Sequence, residues 1–232
     1  MVRSAGMLAL LLLARPQHAA TQSIPAPTPR ELGTTPVATL LRQFDQGTRG
    51  QLPKYNQSAA ESAIEEIVEN RGRLPRARVD SVLSGLEQLA RSDNEEVRLS
   101  AIMLLAGFGR ASSTRQPLPG MYARLARVYE TTRDAQLRAI IVEAIPRLAE
   151  REQALPFLTA LANAPAARPP FPGADIAAIR ALSHTGDAGM SALRRLYEQG
   201  ELREVRDVET RVLLDNLART RGWRAPGRSA PR

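Results

Sequence analysis

Residues 133–162, "RDAQLRAIIVEAIPRLAEREQALPFLTALA", hold two helical faces separated by a short break. From Asp134 the apolar residues Leu137, Ile140, Ile141, Ala144, Ile145 and Leu148 fall three and four apart, the spacing that lines one side of an α-helix. Asp134 stands where a carboxylate caps a first turn. After the break, Ala154, Leu155, Leu158 and Leu161 begin a second helix. Pro156 falls in its first turn, where a missing N–H costs little.

The same grammar recurs about 40 residues upstream. In "SDNEEVRLSAIMLLAGFGR", residues 92–110, Asp93 or Asn94 is the cap, and Val97, Ala101, Ile102, Leu104 and Leu105 repeat the stripe. The break "GRASSTRQPLPG" follows; then Met121, Leu125 and Val128 form the second helix, with Pro119 before it. A more degenerate copy lies downstream, with Ile176, Ile179 and Leu182 in one helix and Met190, Leu193, Leu196 and Tyr197 in its partner. Upstream, Ala60, Ile64, Ile67 and Val68 pair with Val79, Val82, Leu83, Leu86 and Leu89, the latter run opened by Pro75. Hairpins at so regular a period predict an all-α fold, an α-solenoid of about four helix hairpins, each burying its apolar face on its neighbours. Val37, Leu40, Leu41 and Phe44 predict an N-terminal capping helix. Val205, Val208, Val212, Leu213 and Leu217 predict a long final helix that covers the last repeat.

The repeated order of Asp, a hydrophobic residue followed by Arg, small and aliphatic residues, then "ALPFL" resembles a HEAT repeat. The nearer likeness is to the short bacterial type called phycobilisome-lyase HEAT-like repeats. Asp93, Val97, Arg98 and Ala101 carry it in one copy, and Asp134, Leu137, Arg138 and Ile141 in the next. The downstream copy keeps "ALSHTGDAGMSALRRL" but lacks the Arg. The likeness spans residues 57–200 and is strongest over 92–162. It implies a ladder of caps and ion pairs between repeats, built from Asp93, Arg98, Asp134 and Arg138. It also implies a concave, partner-facing surface lined by the second helices. Such a repeat identifies a fold and says little of function.

Composition bounds the rest. In 232 residues, 43% are hydrophobic and only 4% aromatic, so the core is aliphatic. Of the net charge of +8, Arg3 and Arg15 near the start and the five arginines of residues 219–232 supply all but one unit. Basicity thus belongs to the two ends, and the body is nearly neutral. Lys54 is the only lysine. There is no cysteine, which excludes disulfides, thiolate metal sites and cysteine nucleophiles.

Residues 1–20 read as a secretory signal peptide: Arg3 gives a positive start, and Ala5 to Ala14 form an apolar run. That run is about half the ~20 residues a membrane-spanning helix needs. Residues 21–36, with Pro25, Pro27, Pro29 and Pro36, read as an extended linker. The repeat domain is then residues 37–218, and residues 219–232 read as a basic, disordered tail.

Chemistry finds little support. His184 lies beside Asp187 in "SHTGD" without a second His or Cys, and Asp187 reads as the cap of the following helix. Glu61, Glu65 and Glu69 share a helical face with Glu66 beside them, which reads as a solvated acidic face. No Gly-x-Ser-x-Gly elbow or phosphate loop occurs, and Gly107 and Gly109 read as helix stops.

On the second helices, Tyr122, Arg124, Arg127 and Tyr129, then Arg194 and Arg195, are the candidate partner-binding residues. Tyr and Arg are the types enriched at binding hot spots. The expectation is an exported, non-enzymatic scaffold or adaptor, periplasmic or secreted from a bacterium. It would be monomeric, without cofactor or metal, and would bind a protein or peptide. HEAT-like folds also include base-excision glycosylases that track DNA with a basic groove. Nucleic-acid binding through the Arg-rich tail is therefore the alternative if residues 1–20 are not a signal, although the near-neutral body argues against it. A lyase-type enzyme rests on the resemblance alone.

Overall fold

The computed structural model describes residues 35–110, 116–163, 173–202, 205 and 207–224. Residues 1–20, read above as a signal peptide, most of the expected linker, the Pro-rich insert between Asn163 and Gly173 and residues 225–232 lie outside them. Every regular element among the described residues is helical, with one isolated antiparallel bridge between Arg110 and Leu148.

The first three helices, α1 (Val37–Thr48), α2 (Lys54–Glu69) and α3 (Arg76–Leu89), each start directly after a proline: Pro36, Pro53 and Pro75. The pyrrolidine ring fixes φ, and the backbone remains extended until the helix begins. None of the three has a side-chain cap.

A different device starts α4 (Glu95–Phe108) and, after α5 (Met121–Thr131), α6 (Ala135–Ala144). Asn94 accepts from the Val97 N–H, and Asp134 accepts from Gln136 and Leu137. The arginine in the following turn folds back across the preceding loop. Arg98 donates to the Ser92 carbonyl at 3.0 Å, and Arg138 donates to the Thr132 carbonyl at 2.6 Å. One carboxylate or amide thus satisfies helix N–H groups while one guanidinium satisfies a loop carbonyl.

The pattern occurs a third time, at the start of the closing helix. Asp207 caps α10 (Val208–Arg221) through the Thr210 N–H, and Arg211 donates to the Val205 carbonyl at 2.9 Å. The sequence signal was there in "DVETR", residues 207–211, beside "DAQLR" at 134–138 and "NEEVR" at 94–98. Between them, α8 (Ala174–Ser183) starts at Gly173 without a side-chain cap. The remaining helices are α7 (Leu155–Ala162) and α9 (Gly186–Gln199).

α6 stops short of its apolar stripe. The α-helix ends at Ala144 and tightens into a 3-10 turn over Ile145–Arg147, with a second such turn over Arg151–Ala154. Pro146 is the cause, since it has no N–H and its ring crowds the carbonyl four residues back. Ile145 and Leu148 still reach the core. Their segment is stapled to the end of α4, where the Ala149 N–H donates to the Gly109 carbonyl at 3.0 Å.

Packing follows a next-but-one order: α6 lies against α4 on one side and α8 on the other, and α8 also meets α7, α9 and α10. α7 meets α9. α1 packs on α2, α3 and α4. The core running through these contacts is mainly aliphatic, with Ile64, Ile67, Leu86, Ile102, Leu105, Leu125 and Ile141 fully buried. Each such side chain contributes about 1.5–3 kcal/mol relative to exposure.

The far end corrects two expectations. α10 buries Thr210 and Leu214, and leaves Val208 and Val212 exposed. A threonine faces inward because its hydroxyl accepts from Arg180 Nε at 3.1 Å. Order also continues past residue 218. Gly222 ends α10 at φ +65°, and Trp223 turns back onto Tyr197 with centroids 5.7 Å apart, leaving only 8% of the tryptophan exposed. The Arg224 N–H then donates to Glu198 at 3.0 Å.

Candidate partner-binding surface

The six candidate residues divide into three groups. Arg124 and Arg127 stand one turn apart on α5 and converge on Glu87 of α3. Arg124 donates to Glu87 Oε1 and lies 3.6 Å from Asp80, and Arg127 meets both Glu87 oxygens at 3.1 and 3.3 Å. The Glu87 side chain is 11% exposed. Burial pushes its carboxyl up, but the hydrogen bonds and charges of Arg127 and Arg124 outweigh that and hold it below the usual glutamate value. The two arginines therefore clamp α5 to α3, Arg124 from a mostly buried position and Arg127 with half of its side chain exposed. Sequence reasoning missed Glu87, since a glutamate among Gln and Ser carries no local sign of burial.

Tyr122 and Tyr129 are not open anchors either. Both rings meet Phe157 of α7 edge-on, with centroids 6.4 and 5.1 Å away. Arg138 lies over the Tyr129 ring, its guanidinium carbon 4.9 Å from the centroid. Burial raises both phenol pKa values. Aromatics are scarce in this chain, and three of them are spent tying α5 to α7.

Arg194 and Arg195 remain on the surface of α9. Arg194 turns along its own helix to Glu198 at 2.9 Å. Arg195 is exposed, and among the described residues it has no ion-pair or hydrogen-bond partner. It stands at the wall of a groove of about 880 Å³ between α7 and α9. Leu155, Thr159 and Ala160 form one wall, and Ala188, Ala192 and Arg195 the other. The groove exists because short side chains at 160, 188, 191 and 192 leave the valley between the helices unfilled. Its lining offers aliphatic side chains, two hydroxyls and one cation.

The four signature residues have definite partners. Asp93 accepts from Arg49 at 2.7 Å, which lowers its pKa, and leaves the capping of α4 to Asn94. Arg98 lies 4.0 Å from Asp134. Arg138 has no carboxylate partner among the described residues, and spends its charge on the Thr132 carbonyl and the Tyr129 ring.

His184 is exposed at the end of α8. Asp187 lies within the first turn of α9, and the cap position belongs to Thr185, which makes no side-chain cap bond. Glu61 is partly buried, and burial followed by repulsion from Glu65 raises its pKa, so this acidic face is less solvated than its spacing suggests. Among the described residues no group of three or more His, Cys, Asp or Glu side chains is placed to hold a metal ion. No described helix is long and apolar enough to cross a membrane.

No family model, curated protein sequence or solved structure matches the chain.

Proposed function

We propose that this protein is an exported, non-enzymatic binding module: a solenoid of HEAT-like helix pairs, monomeric, acting in the periplasm or outside a bacterial cell. The recurring Asn94/Arg98, Asp134/Arg138 and Asp207/Arg211 device supports a repeat architecture, since it starts equivalent helices the same way. Next-but-one packing of α4, α6, α8 and α10 is what a stack of such pairs requires. Export rests on the pattern of residues 1–20.

The observation that carries the binding role is the α7–α9 groove with Arg195 open at its wall. A bound segment would lay small or apolar side chains against Leu155 and Ala192 and set an acceptor on Arg195.

Selection of a displayed random peptide library against the full chain tests this. Enriched peptides should lose binding on Ala192→Trp, which fills the groove, and weaken about tenfold on Arg195→Gln. That is the effect of one charge-assisted hydrogen bond, about 1.4 kcal/mol. Peptides indifferent to both changes would remove the groove from the proposal.

A further inference from the structure

Away from that groove, two clefts adjoin on the edge of the molecule formed by α1, α3 and the loops after α3 and α5. One, of about 530 Å³, lies between α1 and α3, and the other, of about 290 Å³, between residues 90–92 and 131–134. They share Arg91 and Ser92, so they form one furrow. Its charge is lopsided. Arg42, Arg49, Arg91, Arg98 and Arg133 line it. Asp45 and Asp134 line it and Asp93 adjoins Ser92, and each of the three has a partner. Arg49 holds Asp45 at 2.9 Å and Asp93 at 2.7 Å, and Arg98 lies 4.0 Å from Asp134.

Arg42, Arg91 and Arg133 are left over. All three are exposed, and among the described residues none has a carboxylate partner. Arg91 makes one bond, to the Thr131 hydroxyl at 3.1 Å, which turns its Nε inward and leaves the outer guanidinium nitrogens available. Arg91 stands where the two clefts meet, with Arg42 in the first and Arg133 in the second.

We infer that this furrow binds an extended acidic polypeptide segment, with its carboxylates on Arg42, Arg91 and Arg133. This site is separate from the α7–α9 groove and does not depend on it. Charge complementarity sets the sign of the ligand, and two features select a polypeptide over a nucleic acid. Leu41 and Leu89 give the larger cleft an apolar wall that a side chain fills. Three spare cations would neutralise only about three phosphates, and among the described residues no aromatic ring lines the furrow for bases to stack on.

The test uses the full chain, a fluorescein-labelled decapeptide of alternating Glu and Ala, and a single-stranded oligodeoxynucleotide of the same charge, followed by anisotropy at low salt. Three proteins are compared: the natural chain, Arg42→Gln/Arg91→Gln/Arg133→Gln, and Arg151→Gln/Arg195→Gln/Arg221→Gln. The last is a control that removes equal charge from exposed positions elsewhere, including the other groove. Circular dichroism confirms that all three are equally helical.

The peptide should bind the natural chain and the control within about twofold of each other, and the furrow variant at least tenfold more weakly. Salt should weaken the interaction, as exposed pairs require. Equal loss in both triple variants would reduce the effect to net charge and overturn the proposal. So would an oligonucleotide that binds more tightly than the peptide through the same three arginines, or no peptide binding at all. Loss of groove-selected peptides only in the control would leave the furrow standing, so the two proposals fail separately.

Discussion

Arg180 on α8 reaches across a loop to Asp207, the cap of α10, at 2.9 Å. Arg98 on α4 stands in the same relation to Asp134, the cap of α6, at 4.0 Å. In both pairs one carboxylate caps its own helix and faces a guanidinium of the preceding next-but-one helix, hydrogen-bonded in the first pair and only ion-paired in the second. Arg138 on α6 finds no such rung, because the cap position of α8 is Gly173. It turns instead to Tyr129.

Asp134 is the test of that double use. Asp134→Ala removes two cap bonds and the Arg98 pair, and should cost about 1–2 kcal/mol in urea denaturation. Asp134→Asn keeps the cap acceptor and should recover most of the loss. Equal loss in both would mean that the ion pair, and not the cap, carries the stability.

Glu87 predicts an acid-sensitive clamp. Its pKa in the folded chain lies below its ordinary value of 4.5, so the clamp contributes fully above that value. The contribution is lost as pH falls through the folded value. Glu87→Gln should therefore be less stable than the natural chain at pH 7, by about 1–2 kcal/mol given the half-exposed Arg127. The gap should narrow as pH falls below 4.5. A gap unchanged between pH 7 and pH 3 would contradict this.

Two glycines should respond in opposite ways. A Cβ at Gly189 would stand 2.4 Å from the Leu182 carbonyl oxygen, a backbone atom of α8 that cannot swing aside. Gly189→Ala should destabilise by about 1–3 kcal/mol. Near the end of α4, a Cβ at Gly107 meets nothing within 4 Å. Gly107→Ala should stabilise by about 0.4–1 kcal/mol, chiefly by restricting the unfolded chain. Thermal melting of the two variants gives both signs.

Trp223 predicts where the folded body ends. Trp223→Ala should cost about 3 kcal/mol and free Tyr197, whose ring it covers. Truncation after Ala218 should cost at least as much, since it also shortens α10. Truncation after Arg224 should leave the melting temperature within about a degree, because the Trp223 packing and the Arg224–Glu198 bond are retained. A chain cut after Ala218 that melts unchanged would restore the shorter domain boundary.

Local sequence determined the helices and most of their buried faces. Stripes such as Val97, Ala101, Ile102 and Leu105 bury because the α-helix period alone places them on one side, whatever lies opposite. Caps were legible for the same reason, since Asp134 and its N–H partners are close in sequence. The "DVETR" signal at 207–211 was equally local, and its inward Thr210 was obscured because a hydroxyl breaks an apolar stripe.

Only tertiary structure decided which arginines are spent and which are spare. Arg124 and Arg127 looked like surface anchors, and Glu87, 37 and 40 residues away in sequence, claimed them. Arg42, Arg91 and Arg133 carry no local distinction at all, and they stand out because the nearby carboxylates pair with Arg49 and Arg98 instead. Periodicity assigns a side chain to a face, whereas a charge finds its partner through distances that packing sets.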